Sequence, residues 1–122
     1  MEANSEAKIL RIFTSNTDKF KNSLLYETII FAAKRYGLAG ATATKGIMGF
    51  GSNSVIRSVK FWELTEKLPI VVEIIDDSKK IDDFIEKILP WFDYLSCGCL
   101  ITVENTTIIL RKQGSKKKNG KV

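Results

Sequence analysis

The chain has 122 residues, 44% hydrophobic and 27% charged, a composition that suits one soluble domain with a single core. It holds no histidine and only two cysteines, Cys97 and Cys99, which excludes His-based triads, His general bases, most metal-ligand sets and a disulfide scaffold. The formal net charge is +5, but Lys116, Lys117, Lys118 and Lys121 stand in the end segment 114–122 with no acid beside them. Residues 1–113 then carry 15 basic against 14 acidic side chains, so the folded part shows no nucleic-acid footprint.

The expected organisation is a disordered N-terminus over 1–7, one domain over 8–113 and a disordered basic tail over 114–122. No apolar run reaches the roughly 18 to 20 residues that span a bilayer, and Met1–Lys8 lacks the apolar centre of a signal peptide. The expected location is cytoplasmic.

In chain order, Lys8–Thr14 predicts a strand, closed by the polar turn set Ser15–Asp18. A helix follows over Ser23–Tyr36, with Ser23 as N-cap, an apolar stripe of Leu25, Ile29, Ala32 and Tyr36, and Gly37 as C-cap. Ala41–Met48 and Arg57–Thr65 read as strands around the loop Gly49–Ile56. Ile70–Asp76 is the clearest strand. A second helix starts after Asp77 and Ser78, with Ile81, Phe84, Ile85, Ile88, Leu89 and Phe92 on one face; Pro90 predicts a kink or a fresh turn. Cys99–Glu104 and Thr107–Arg111 read as a strand and a short return about a turn at Asn105–Thr106.

The order β-α-β-β-α-β, with a small terminal extension, predicts a ferredoxin-like α+β sandwich: an antiparallel sheet with both helices on one face. Strand 70–76 is apolar on both parities, with Val71 and Ile75 flanking Glu73 on the second side, and strand 8–14 likewise adds Ile9 and Phe13. Leaving these side chains in water forgoes several kcal/mol at roughly 25 cal/mol per Å², so the helix-free face is expected to meet another subunit. The competing expectation is cover by the C-terminal return and the 57–65 ribbon. Glu73, the one charge within its strand, is expected to pair with a lysine or arginine.

The segment Lys45–Arg57 (KGIMGFGSNSVIR) carries the richest chemistry. Gly46, Gly49 and Gly51 with Ser52, Asn53 and Ser54 let backbone N–H groups approach an anion, and Lys45 and Arg57 can neutralise a phosphate. It is neither a Walker loop nor a dinucleotide fingerprint, and a plain hairpin connection explains it as well. Ser96-Cys97-Gly98-Cys99 reads as a small-residue turn before the last strand; a metal or redox role for the cysteines is the sharper alternative. Asp76, Asp77, Asp82 and Asp83 read as solvated carboxylates around the start of the second helix. Phe61 and Trp62 suit a subunit interface or stacking on bases. Nothing forms a nucleophile–base–orienter set, so no enzyme is expected.

Leu25-Tyr26-Glu27, Gly37–Thr42 (GLAGAT), Gly46–Gly51 (GIMGFG) and Leu68–Ile74 (LPIVVEI) together resemble the domain of unknown function 190 family, which is similar in fold to the PII-like signalling proteins. The resemblance covers roughly Lys8–Gln113 and implies a PII-like homotrimer with its sheets packed inside. It also implies an adenine nucleotide (AMP, cAMP or ADP) held between subunits. By order of elements, the ligand-binding positions are Gly46, Gly49, Gly51 and Arg57, then Gly98, then Arg111 and Lys112. Lys19 and Lys21 stand where an arginine or histidine precedes the first helix in that family. Ser96–Cys99 departs from the glycine-aspartate-glycine-lysine turn of authentic PII proteins, which favours AMP or cAMP over a triphosphate. Residues 46–58 hold no tyrosine, so the uridylylation site of PII proteins has no counterpart.

The expected function is therefore a non-enzymatic trimeric regulator that signals through a flexible loop, the resemblance pointing to a membrane transporter or channel as partner. The alternative is a nucleic-acid-binding accessory protein using the lysine tail. It predicts steeply salt-dependent binding lost with residues 114–122.

Overall fold

Apolar residues at alternate positions of three long segments build the sheet. The structure, a computed structural model, describes residues 5–51, 56–58 and 67–115, with Ser5 and Arg57 described through their backbone alone. β1 (Ser5–Ser15) is followed by the short strands β2 (Lys19–Phe20) and β3 (Ser23–Leu24), α1 (Leu25–Arg35) and β4 (Thr42–Lys45). Next come β5 (Met48–Gly49), β6 (Arg57–Ser58), β7 (Pro69–Asp77), α2 (Ser78–Ile88), a 3-10 turn over Leu89–Tyr94 and β8 (Leu100–Ile108). The main sheet has the order β4-β7-β1-β8, antiparallel throughout. With the two helices on one face, this is the ferredoxin-like sandwich expected from the sequence.

Leu10 and Ile12 of β1 lie opposite Ile74 and Val72 of β7. With Ile70 they form a core closed by Leu25, Ile29, Ala32 and Ala33 of α1 and Ile81, Phe84 and Ile88 of α2. The stripe of α1 stands for Leu25, Ile29 and Ala32 and that of α2 for Ile81, Phe84 and Ile88, whereas Leu89, expected on the same apolar face, falls beyond α2 in the 3-10 turn and is exposed. Tyr36 is half exposed but packs edge-on against Phe84 at 6.0 Å between ring centroids. Gly37 follows α1 with φ 80°, the left-handed residue that ends a helix without a Cβ clash. Pro90 opens the 3-10 turn, the fresh turn its missing N–H required.

Four boundaries differ from expectation. Ser5, Glu6 and Ala7, placed in a disordered N-terminus, belong to β1, where Ala7 is buried between partners Asp77 and Thr106. That early start gives β8 a partner along its whole length: Asn105 and Thr106 face Lys8 and Ala7 in the ladder, so the expected turn and return strand do not form. Ser23 is no N-cap. Lys21 (φ 50°) and Asn22 (φ 67°) turn the chain in a tight hairpin that pairs Ser23 and Leu24 with Phe20 and Lys19, and α1 starts one residue later, with Thr28 Oγ1 donating back to the Leu24 carbonyl. β4 stops at Lys45, opposite Ile70, because Pro69 has no N–H for the next rung. The chain then leaves the sheet, and Met48–Gly49 pair with Arg57–Ser58 as a separate ribbon. The rest of the strand expected over 57–65, and residues 116–122 of the expected tail, lie outside the described residues.

Asp76 departs from expectation in its burial. Expected to be solvated, it is fully buried, because its parity is that of Ile70, Val72 and Ile74. It accepts hydrogen bonds from the backbone N–H of Ala39 and of Asp77, and it pairs with the Arg111 guanidinium at 3.1 Å. The neighbouring Asp82 and Asp83 are exposed, on ion pairs with Lys8 and Lys79.

The helix-free face carries Ile9, Phe13, Val71, Ile75 and Leu100 around a charged centre. Arg11 donates to Glu73 at 2.8 Å and to Glu104, the partner expected for Glu73. Ile75 is 40% exposed and Leu100 57% exposed. No described segment covers this face, since the return strand that was to cover it is instead the straight continuation of β8.

Candidate ligand cleft

The ends of three strands and one ribbon meet in a cleft of about 650 Å³. β1 contributes Phe13, Thr14 and Ser15; β7 contributes Pro69, Ile70 and Val71; Gly98, Cys99 and Leu100 enter from the start of β8; and Gly46, Met48, Gly49, Phe50 and Gly51 come from the ribbon. Asp18 and Lys67 complete the wall. Of the expected site residues, then, Gly46, Gly49, Gly51 and Gly98 converge. Arg57 pairs through its backbone with Gly49, one of the lining residues.

Gly46 has a steric reason for its identity. A Cβ there would stand 2.8 Å from Cγ of Pro69, too close for any side chain, while its N–H donates to the Pro69 carbonyl at 2.8 Å. Gly46 thus fixes the base of the ribbon against β7 and spends its N–H on Pro69, which removes that group from the anion-binding role the sequence suggested for it.

Arg111 and Lys112 are not at the cleft of their own chain. Arg111 is held by Asp76 and Asp77, seven residues along β7 from Pro69, roughly 23 Å at the rise of a strand. Lys112 follows it and is exposed.

Two residues that sequence reading did not single out dominate the polar side of the cleft. The Asp18 side chain is 5% exposed, accepts a hydrogen bond from Thr14 Oγ1 at 2.8 Å and lies 3.3 Å from Lys67 Nζ. Its backbone N–H donates to Ser15 Oγ. Burial pushes the carboxyl up, but the hydrogen bonds from Thr14 and Ser15 and the Lys67 ammonium outweigh it and hold Asp18 below the usual carboxylate value. The loop is tied to β7 by Asn16, whose Oδ1 accepts from the Leu68 N–H while its own N–H donates to the Leu68 carbonyl. Asp18 sat in a predicted polar turn, and nothing in the sequence linked it to Lys67, 49 positions away.

Because the folded Asp18 carboxyl titrates below its unfolded value, its ionised form stabilises the fold above about pH 4, and that contribution is lost as pH falls through the depressed value. Asp18→Asn is expected to cost about 1 to 2 kcal/mol at pH 7 and to flatten the loss of stability between pH 5 and pH 3. Urea unfolding at several pH values checks both; an unchanged acid limb would remove Asp18 from this account.

Burial, and then the nearby Asp18 charge, push the thiols of both Cys97 and Cys99 up. Both are free cysteines kept in the neutral thiol form, which is a poor metal ligand and a poor nucleophile. Among the described residues no three potential ligands cluster to hold a metal ion, and no helix is long and apolar enough to cross a membrane.

Comparison with known proteins extends this picture. The family model DUF190, described as "Uncharacterized ACR, COG1993", matches residues 7–108. A UPF0166 protein of Aquifex aeolicus is 44% identical over 102 residues, covering 84% of this chain and 92% of its own. A UPF0166 protein of Methanocaldococcus jannaschii is 38% identical over 85 residues, covering 70% and 74%. Among solved structures, CPII of Thiomonas intermedia K12, bound to ADP and bicarbonate, superimposes with a TM-score of 0.60 at 18% identity over 86% of this chain and 90% of its own. A PII-like protein of Thermus thermophilus gives 0.62 at 17% identity, covering 88% and 94%. The sandwich is thus the PII-like fold, and with its match spanning almost the whole described sheet, the chain belongs to the DUF190 family.

Proposed function

We propose that this protein is a non-enzymatic, PII-like cytoplasmic regulator that binds an adenine nucleotide (AMP, cAMP or ADP) in clefts of a homotrimer. The observation that carries the reading is the convergence of Gly46, Gly49 and Gly51 of the ribbon with Gly98 in one cleft of about 650 Å³. Apolar walls (Phe13, Met48, Phe50 and Leu100) can cover a base there, and Gly49, Gly51 and Gly98 leave room for a phosphate to approach the backbone. That CPII has been solved with ADP, AMP and bicarbonate supports the ligand class.

The exposed apolar face around Arg11 and Glu73 supports self-association through the sheets. In such an assembly Arg111 and Lys112, remote from the cleft of their own chain, reach a cleft only from a neighbouring copy. Nucleotide and partner are coupled if the ribbon conformation that binds ligand differs from the one that docks. The resemblance to the family points to an ion transporter or channel as that partner.

A thermal-shift panel with AMP, cAMP, ADP and ATP tests the reading. A ligand at about 100 times its Kd stabilises by about 2.7 kcal/mol, several degrees for a domain of this size. Arg57→Ala is expected to weaken binding by about 1.5 to 3 kcal/mol through loss of a charge-assisted bond. No shift with any nucleotide would overturn the proposal.

A further inference from the structure

Resting on that reading of the cleft, we propose that Asp18 reads the sugar of the nucleotide, accepting a hydrogen bond from a ribose hydroxyl, so that the site prefers ribonucleotides to their 2′-deoxy forms. Asp18 lines the cleft together with Thr14, Ser15 and Lys67. An ionised carboxylate only accepts hydrogen bonds, and its two oxygens offer about four lone-pair sites. Thr14 Oγ1 donates to Oδ2 at 2.8 Å, Ser15 donates as well, and the Lys67 ammonium stands 3.3 Å from Oδ1. These three donors leave one site for a group entering the cleft. The Lys67 contact is also longer than the roughly 2.7 to 2.9 Å of a tight charge-assisted bond, so Oδ1 is loosely held.

The parts of a nucleotide differ in what they bring to such a group. Phosphoryl oxygens are negative, and a carboxylate fixed by Thr14 repels them. Their place is at Gly49, Gly51 and Gly98, where the proposed function brings in Arg57 and a neighbouring copy's Arg111 and Lys112. The base offers flat apolar faces that suit Phe13, Met48, Phe50 and Leu100. The sugar remains. Its hydroxyls are neutral donors, and the 2′-hydroxyl is the one that AMP, cAMP and ADP all carry. A hydrogen bond to an ionised acceptor is roughly twice as strong as one to a neutral acceptor. A 2′-deoxy ligand would exclude water from the fourth site and put no donor in its place, which leaves a buried acceptor short of a partner.

Isothermal titration of the full chain with AMP, cAMP and ADP, and with the 2′-deoxy and 2′-fluoro-2′-deoxy form of each, provides the test. The ribonucleotide that binds is expected to bind at least about tenfold more tightly than its 2′-deoxy form, the worth of one hydrogen bond to a charged group. The fluoro form keeps the ribose pucker but cannot donate, so it should bind as weakly as the deoxy form. Asp18→Asn should narrow the gap between ribo and deoxy forms to within about threefold while leaving the affinity for the deoxy form unchanged, a pattern that a merely structural role for Asp18 would not produce. Should that variant fail to fold, the fluoro ligand on the unmodified protein still decides. Ribo and deoxy forms bound equally, as they would be if Asp18 met the amino group of the base, overturn the inference while leaving the nucleotide reading intact. So does a fluoro form bound as tightly as the ribonucleotide, or a gap unchanged in Asp18→Asn. No binding of any of these nucleotides removes both.

Discussion

Asp76→Ala is expected to destabilise the protein by about 3 kcal/mol, the cost of stripping a buried carboxylate from partners that stay behind. Three separate parts of the chain use this one side chain: the Ala39 N–H in the segment after α1, the Asp77 N–H at the start of α2 and the Arg111 guanidinium beyond β8. Arg111 retains some access to water, so its loss is softened, while the part-buried N–H groups of Ala39 and Asp77 lose the carboxylate that receives them. For a chain of this size the change corresponds to a fall in Tm of about 10 to 15 °C. Asp82→Ala, which removes an exposed partner of Lys8, should cost under about 1 kcal/mol. Melting curves of the two variants side by side decide the matter. Equal, small losses would mean that Asp76 is no junction.

Ile75→Glu is expected to break the proposed trimer into monomers without unfolding the subunit. Ile75 lies opposite Ile9 on the helix-free face and is 40% exposed in the single chain, so a glutamate there remains solvated in the monomer. In a sheet-to-sheet assembly it would add an unpaired carboxylate beside Glu73, at a cost of several kcal/mol in every copy. Light scattering on the size-exclusion peak should then report about one third of the unmodified mass, with the circular dichroism spectrum retained. Tyr94→Ser, on a side chain 81% exposed at the far end of the 3-10 turn, should leave the mass unchanged. An Ile75→Glu protein of unaltered mass would place the subunit contacts elsewhere.

Much of the fold could be read from periodicity, because the core obeys it. The apolar run of strand 70–76 and the stripe from Ile81 to Ile88 involve residues whose place is set by their own element. The failures share a different cause. Asn105 and Thr106 look like a turn when taken locally, yet they are held extended by Lys8 and Ala7, nearly a hundred positions earlier. Ser23 looks like a helix cap until Asn22, a residue that tolerates the left-handed conformation, lets the chain fold back on itself first.

Asp76 could have been found. It continues the core parity of Ile70, Val72 and Ile74, a stronger signal than its position beside Asp77 and Ser78. The candidate site divides in the same way. The glycines announce themselves by composition, whereas Asp18 and Lys67 are ordinary surface residues until the Asn16–Leu68 hydrogen bonds bring their segments together.

The pairing of β1 with β8 sets a condition on how the chain acquires its shape. The first rung joins Ser5 to Ile108, so β1 lacks its β8 partner during synthesis until residue 108 has been made. Contacts this far apart in sequence are slow to form, in the range of milliseconds to seconds for folds dominated by them. Throughout that interval β1 presents an unpaired row of N–H and C=O groups to any neighbouring chain. Crowded ribosomes translating this message would bring such open edges together, and removal of β8 would make the exposure permanent. Insolubility on expression, rather than loss of ligand binding, is then the expected consequence of truncation before residue 108.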